Sequence, residues 1–175
     1  AEGNLIFDDY EIYTTEKGAK IGFFGMETPE SQTKANPALI KGLVFPAGAD
    51  NYAVAQQTVN TLKKEGADTI ICLAHLGVDP ESEPNTSYDL MNNTEGIDFL
   101  IDGHSHSVYT KYDGLPMQQT GTAFRNIGVV VLDSITGKIL DCFNQDTAEL
   151  PSDKTVAAAA QEIIDRVNSE YAIKF

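Results

Sequence analysis

Tryptophan is absent from this chain, and among its 175 residues cysteine occurs only twice and histidine three times. Cys72 and Cys142 are too few for a disulfide framework. Stability must therefore come from a packed core, and Cys72, inside an apolar run, reads as a small buried residue. Basic residues are scarce as well: 12 Lys and Arg stand against 26 Asp and Glu, a formal charge of −14. So acidic a chain offers no face for displacing counterions from a nucleic acid polymer. A small phosphorylated substrate stays compatible with it if bound cations supply local positive charge. No apolar run approaches the ~18 residues of a membrane span. No secretory signal is visible either, and a chain that starts at Ala1 rather than Met reads as a processed or excised piece. Near-average apolar and charged fractions at this length describe one globular domain with a sizeable core.

What is present is concentrated at two places. Phe99-Leu100-Ile101-Asp102-Gly103-His104-Ser105-His106 is a short apolar run that stops at an Asp-Gly pair and delivers two histidines one residue apart. An apolar run this short suits a buried strand, and Asp-Gly permits a sharp departure from it. Thr69 to Ala74 is a second such run, and it ends in His75-Leu76-Gly77. All the histidines thus fall at the ends of two expected strands, where open α/β sheets bind ligands. Imidazole is the commonest side-chain metal ligand at neutral pH, and three of them suit a transition metal.

The remaining elements follow from local pattern. Ile6 to Tyr13 reads as a strand near a sheet edge, Glu16-Lys17-Gly18 as a turn, and Lys20 to Met26 as its hairpin partner. Asp8 and Asp9 read as a solvated strand end. Thr28 to Gly48, rich in Pro, Gly, Asn and Ser, reads as a long loop or short helical turns, and loops of this length are commonly functional. Asn51 to Glu65, with Ala53, Val54, Val59 and Leu62 apolar, reads as a helix stopped by Gly66 that feeds the Thr69 strand of a parallel sheet. Val78 to Glu95 is a polar connection with a helical turn near Tyr88 to Met91. Pro116 to Thr120, Asn126 to Ser134 and Lys138 to Asn144 read as strands of an antiparallel portion, the last two joined by a turn at Thr136-Gly137. Ser152-Asp153 caps a final helix, Thr155 to Tyr171, whose Val156, Ala160, Ile163, Val167 and Tyr171 are expected to pack on the core.

His75-Leu76-Gly77 after its strand, and Gly103-His104-Ser105-His106, resemble the last two metal motifs of the calcineurin-like metallophosphoesterases. Gly22-Phe23-Phe24-Gly25-Met26-Glu27-Thr28-Pro29-Glu30-Ser31, Lys34-Ala35-Asn36-Pro37 and Gly42-Leu43-Val44-Phe45 resemble the 5′-nucleotidase branch, which includes UDP-sugar hydrolases and cyclic-nucleotide phosphodiesterases. The likeness runs from about Ile6 to the end of the chain. It implies an α/β fold, part of a four-layer α/β/β/α sandwich with a mixed sheet and a C-terminal helix. It also implies two divalent metal ions, Zn, Mn or similar, acting on a small phosphorylated substrate of nucleotide type. His75 and His104 would ligate one ion and His106 the other. Asp102 could accept from a ligand histidine's second nitrogen, or serve only its Asp-Gly turn. Thr28 and Glu30 could support the site, or Thr28-Pro29 could simply end a strand. The same resemblance implies an extracytoplasmic location, in the bacterial periplasm or at the cell surface.

One departure from the family is large. The D-x-H motif, the G-D motif with its metal-bridging carboxylate and the G-N-H motif with its general-acid histidine are missing; Asp102-Gly103-His104 spells D-x-H in the wrong place. Residues 1–175 are accordingly expected to be the C-terminal half of a catalytic domain, ending in a linker-type helix at about 153–171. The N-terminal half and a substrate-binding domain are expected to be absent, and with them the catalytic acid. The isolated chain is then expected to bind one ion or none and to turn over little or no substrate. The alternative is a non-catalytic binding or interaction module with structural histidines.

Overall fold

A computed structural model describes residues 7–171; Ile6, at the start of the first expected strand, lies outside the described residues. The chain divides into two compact units between Gln145 and Asp146. In the first, β1 (Glu11–Thr14), β2 (Lys20–Glu27), β3 (Thr69–His75), β4 (Phe99–Ile101), β5 (Val108–Tyr109) and β6 (Met117–Thr120) form one sheet in the order β1-β2-β3-β4-β6-β5. β1 pairs antiparallel with β2, while β2, β3, β4 and β6 run parallel, so their carboxyl ends share one edge. The expected hairpin is present, with β1 at the sheet's rim and Asp8 and Asp9 exposed ahead of it.

Alternation in β2 and β3 sorts side chains onto two faces. Phe24, Met26, Ile70 and Cys72 meet α2 (Ala49–Lys64) and α3 (Ser87–Asn93), along with Leu100 and Met117. Ile21, Ile71 and Phe99 face the other way, toward Val130, Leu132, Ile139 and Cys142. Those four lie on β7 (Asn126–Leu132) and β8 (Ile139–Asp146), which form a separate two-stranded sheet. The unit is therefore a mixed α/β structure of three layers, α/β/β. Each fully enclosed Leu or Ile, such as Leu62, Ile70 or Leu100, contributes about 1.5–3 kcal/mol by leaving water. Both cysteines are free thiols, Cys72 buried.

Three expectations are corrected and one strand is added. β6 pairs parallel with β4 on one side and, as expected, antiparallel on the other, with β5, while β7 and β8 leave the main sheet altogether. β5, two residues long, carries too little pattern to be seen in sequence. α2 buries Asn51, Ala55, Thr58, Val59 and Leu62, whereas Ala53 and Val54 face solvent. Polar Asn51 and Thr58 complete the inward stripe, which residue hydrophobicity alone misplaced.

The Thr28 to Gly48 segment holds one short turn of helix, α1 (Ser31–Lys34). α3 starts with a capping box: Thr86 Oγ1 accepts from Asp89 N at 3.0 Å, and Asp89 Oδ2 accepts from Thr86 N at 3.1 Å. Ser87 N then donates to Gly77 O at 2.8 Å, tying the helix to the loop after β3. Thr86→Ala is expected to cost about 1 kcal/mol, read as a lower urea midpoint with unchanged slope.

The second unit holds α4 (Lys154–Tyr171), preceded by Asp153, whose Oδ1 accepts from Thr155 N and Val156 N at 2.8 and 3.0 Å. The helical spacing is as expected. Its stripe is not enclosed: no residue of α4 is buried, and Val156, Ile163, Val167 and Tyr171 are exposed. No helix among the described residues is long and apolar enough to cross a membrane.

Candidate metal centre

His75 is the last residue of β3, in register with Glu27 of β2, and its carbonyl accepts from Thr28 N at 3.0 Å. β4 stops two residues before Gly103, and the loop that follows swings His104 beside His75. Two glycines make the approach feasible. A Cβ on Gly103 would lie 3.2 Å from His75 Nδ1, and one on Gly77 would lie 3.0 Å from Ser105 N and 3.2 Å from His104 Cδ2. The loop is wound tightly, with His104 at φ +80° and His106 at φ +54°. Left-handed backbone at two histidines carries a cost that the surrounding bonds must hold in place.

The His75 and His104 rings stand edge to face, centroids 4.9 Å apart, with His104 Nδ1 3.2 Å from His75 Nε2. The far side of His104 meets a carboxylate: Nε2 lies 3.2 Å from Glu30 Oε2. Glu30 also accepts from Ser82 Oγ at 2.5 Å and pairs with Lys34. The Lys34 ammonium chiefly, with Ser82 and His104 assisting against partial burial, holds its carboxyl down at about 2. It is therefore an anion at any pH near neutrality.

The donor set suits an ion in one respect. Two imidazole nitrogens bound to one tetrahedral ion at about 2.0–2.1 Å stand about 3.3 Å apart, and His104 Nδ1 and His75 Nε2 are 3.2 Å apart. The expected trio is not assembled as a group. Among the described residues no cluster of three or more His, Cys, Asp or Glu side chains is arranged to hold an ion. His106 is exposed. An open groove of about 770 Å³ is lined by Phe7 to Glu11, Phe23, Phe24, Gly25 and Leu73 and includes none of the histidines. Chemically, the pair is a two-nitrogen ledge at the carboxyl edge of the sheet.

Asp102 sits in this loop but turns away from the histidines. Its Oδ1 accepts from the backbone of Leu76, Gly77 and Gly103 at 3.3, 3.1 and 2.8 Å. Its Oδ2 accepts from Tyr109 Oη at 2.9 Å and Gln119 Nε2 at 3.2 Å. The carboxylate therefore joins the two histidine-bearing loops through their backbones. Burial, then the Asp102 charge, pushes the Tyr109 phenol far above its ordinary value. Gln119, buried, reaches the same loop: its Oε1 accepts from Ser107 N at 2.6 Å and Ser105 Oγ at 3.1 Å. Thr28, also buried, accepts from Glu30 N at 3.2 Å through Oγ1 and so sets the turn that carries Glu30.

Tyr109, Ser107 and Ser82 were not singled out from sequence; Ser105 stood only within the Gly103 to His106 motif, and Gln119 only in the strand that follows the histidines. The available signal was Gln118-Gln119 within an otherwise strand-like run, since paired amides there must find buried partners.

No family model matches the chain. It is 33% identical over 133 residues to the trifunctional nucleotide phosphoesterase protein YfkN of Bacillus subtilis, which covers 71% of this chain and 9% of that protein. It is 32% identical over 136 residues to the 2′,3′-cyclic-nucleotide 2′-phosphodiesterase/3′-nucleotidase of Haemophilus influenzae, covering 65% of this chain and 20% of the relative. The chain thus spans only a minor part of each relative's length. The crystal structure of calcineurin-like phosphoesterase YfkN from Bacillus subtilis superposes on 98% of this chain and 61% of its own, with TM-score 0.72 at 22% identity, a likeness of fold. The curated relatives are nucleotide phosphoesterases and nucleotidases, the solved neighbours share the fold, and the chain belongs to the calcineurin-like phosphoesterases of the 5′-nucleotidase and cyclic-nucleotide phosphodiesterase branch, matching part of such a protein.

Proposed function

We propose that this chain supplies part of the metal site of a phosphate-ester hydrolase whose substrates are nucleotides, in an extracytoplasmic setting. The observation that carries this reading is the facing pair, His104 Nδ1 and His75 Nε2, 3.2 Å apart at the carboxyl edge of a parallel sheet. His75 and His104 would hold one divalent ion, and His106 a second. Bound ions of this kind polarise a phosphoryl oxygen and lower the pKa of bound water. The chain's own residues shape the ledge that would receive them: Gly77 and Gly103 let the loops close, and Asp102 and Gln119 hold them in place. The G-D and G-N-H motifs, which the resemblance implies would carry the bridging carboxylate and the general acid, do not occur in these 175 residues. Turnover by the isolated chain is therefore expected to fall far below the ~1 per second typical of enzymes.

The test is zinc titration of the purified chain by calorimetry. One ion per chain is expected, with affinity falling about a hundred-fold or more in His75→Ala and in His104→Ala, while His106→Ala leaves that ion bound. One observation favours a second reading, a non-catalytic module with structural histidines: both ring nitrogens of His104 already have partners within the chain. Absence of bound zinc, with fold and stability insensitive to His75→Ala, would decide for that alternative.

A further inference from the structure

We infer that Glu30 is a positioning residue that keeps the proton of His104 on Nε2 and thereby turns the Nδ1 lone pair toward His75. The inference rests on the metal-binding reading only for its purpose; its physical content concerns the chain alone. A neutral imidazole has one N–H and one lone pair, and which nitrogen bears which is set by the partner of the other. A carboxylate can only accept. With Glu30 Oε2 3.2 Å from His104 Nε2, the N–H belongs on Nε2, and Nδ1 faces His75 Nε2 as an acceptor. The opposite tautomer would set a hydrogen where an ion needs an electron pair.

Glu30 is itself held on several sides, as such a role requires. Thr28 Oγ1 takes its backbone N–H at 3.2 Å, Ser82 Oγ donates to Oε1 at 2.5 Å, and Lys34 donates to Oε2. Ser82 therefore occupies one carboxylate oxygen and leaves the other aimed at His104. The contact spans 74 positions of sequence, bringing the loop after β2 to the loop after β4. A carboxylate behind a ligand imidazole changes metal affinity about ten- to a hundred-fold.

The test reads the tautomer directly, by long-range proton–nitrogen NMR on the metal-free, nitrogen-15-labelled chain at a pH where the ring is neutral. The Nε2–H form of His104 is expected to dominate. In Glu30→Ala it should give way to a mixture. Glu30→Gln should restore it, because Lys34 requires the amide oxygen on the Oε2 side while Ser82 Oγ can accept from the amide N–H. Lys34→Ala, which removes another donor from the same oxygen, should leave the tautomer unchanged, whereas a merely structural Glu30 would leave it unchanged in all variants. In parallel, zinc affinity should drop ten- to a hundred-fold in Glu30→Ala. An Nδ1–H form in the unsubstituted chain, or an unaltered ratio in Glu30→Ala, overturns the inference. A chain that binds no zinc overturns the metal-binding reading instead, and the tautomer result still decides the role of Glu30.

Discussion

Asp102→Ala is expected to lower the stability of the chain by about 3 kcal/mol or more, because hydrogen bonds to a charged group contribute about 1.5–3 kcal/mol each and unpaired buried donors are costly. Five donors converge on this carboxylate: three backbone amides, the Tyr109 hydroxyl and the Gln119 amide. Tyr109 can turn its hydrogen elsewhere and Gln119 retains Ser105 and Ser107, so the backbone amides bear most of the loss. Asp102→Asn separates charge from geometry. Its oxygen can still serve the three amides, but its NH₂ then meets the Gln119 NH₂, donor against donor. An intermediate loss, roughly half that of alanine, is expected. Urea denaturation with a common slope measures both, and a midpoint unmoved by Asp102→Ala would show that the carboxylate does not join the loops. A second signature accompanies the asparagine variant. With the negative charge gone, the Tyr109 phenol should ionise at lower pH in an ultraviolet titration, since the Asp102 charge follows burial as the cause of its elevation.

The second large effect is expected at Gly77. Its φ of +72° lies in the left-handed region, where a side chain costs about 1–3 kcal/mol. The added methyl would also meet Ser105 N at 3.0 Å and Ser105 Cβ at 3.1 Å, atoms of backbone or fixed directly to it. Crowding of that kind adds about 1–3 kcal/mol. Gly77→Ala should therefore destabilise the chain by about 2–6 kcal/mol in total. It should also push the loop carrying His104 away from His75. Zinc binding by the isolated chain should consequently weaken more than in Thr86→Ala, which reaches Gly77 only through the start of α3. Equal zinc affinity in Gly77→Ala and the unsubstituted chain would mean that the close approach of the two loops has no bearing on the pair.

Much of the fold was legible in the sequence. The Thr69 and Phe99 strands were readable because each is a short apolar run with its own stop, and both stops carry histidine. The Lys20 strand, the Gly66 helix end and the Thr136-Gly137 turn were readable for the same local reason. What escaped was what chain neighbours do not encode. The inward face of α2 includes Asn51 and Thr58, whose burial depends on what packs above them. β7 and β8 show the same alternation whether they join the main sheet or cross to another layer, so pattern alone placed them wrongly. At the centre, sequence grouped the three histidines, whereas the structure joins His75 and His104 to each other and His104 to Glu30. Asp102, weighed as a partner for a histidine, bonds to backbone amides because its place at the end of β4 points it across to the loop after β3.

Gln118 and Gln119 are neighbours on β6, both buried, and alternation sends them to opposite faces. One amide serves the histidine loop; the other donates to Phe143 O and Asn144 Oδ1 of the second sheet, both at 2.9 Å. Were β6 to slide by one position, Gln118 would take the place of Gln119, and the thioether of Met117 would then confront the carbonyl and amide of β8. A sliding strand exchanges its faces wholesale, and here one of the two exchanges strands polar atoms without partners. The paired glutamines thus act as a registration pin, fixing where the strand beneath the histidines must stop.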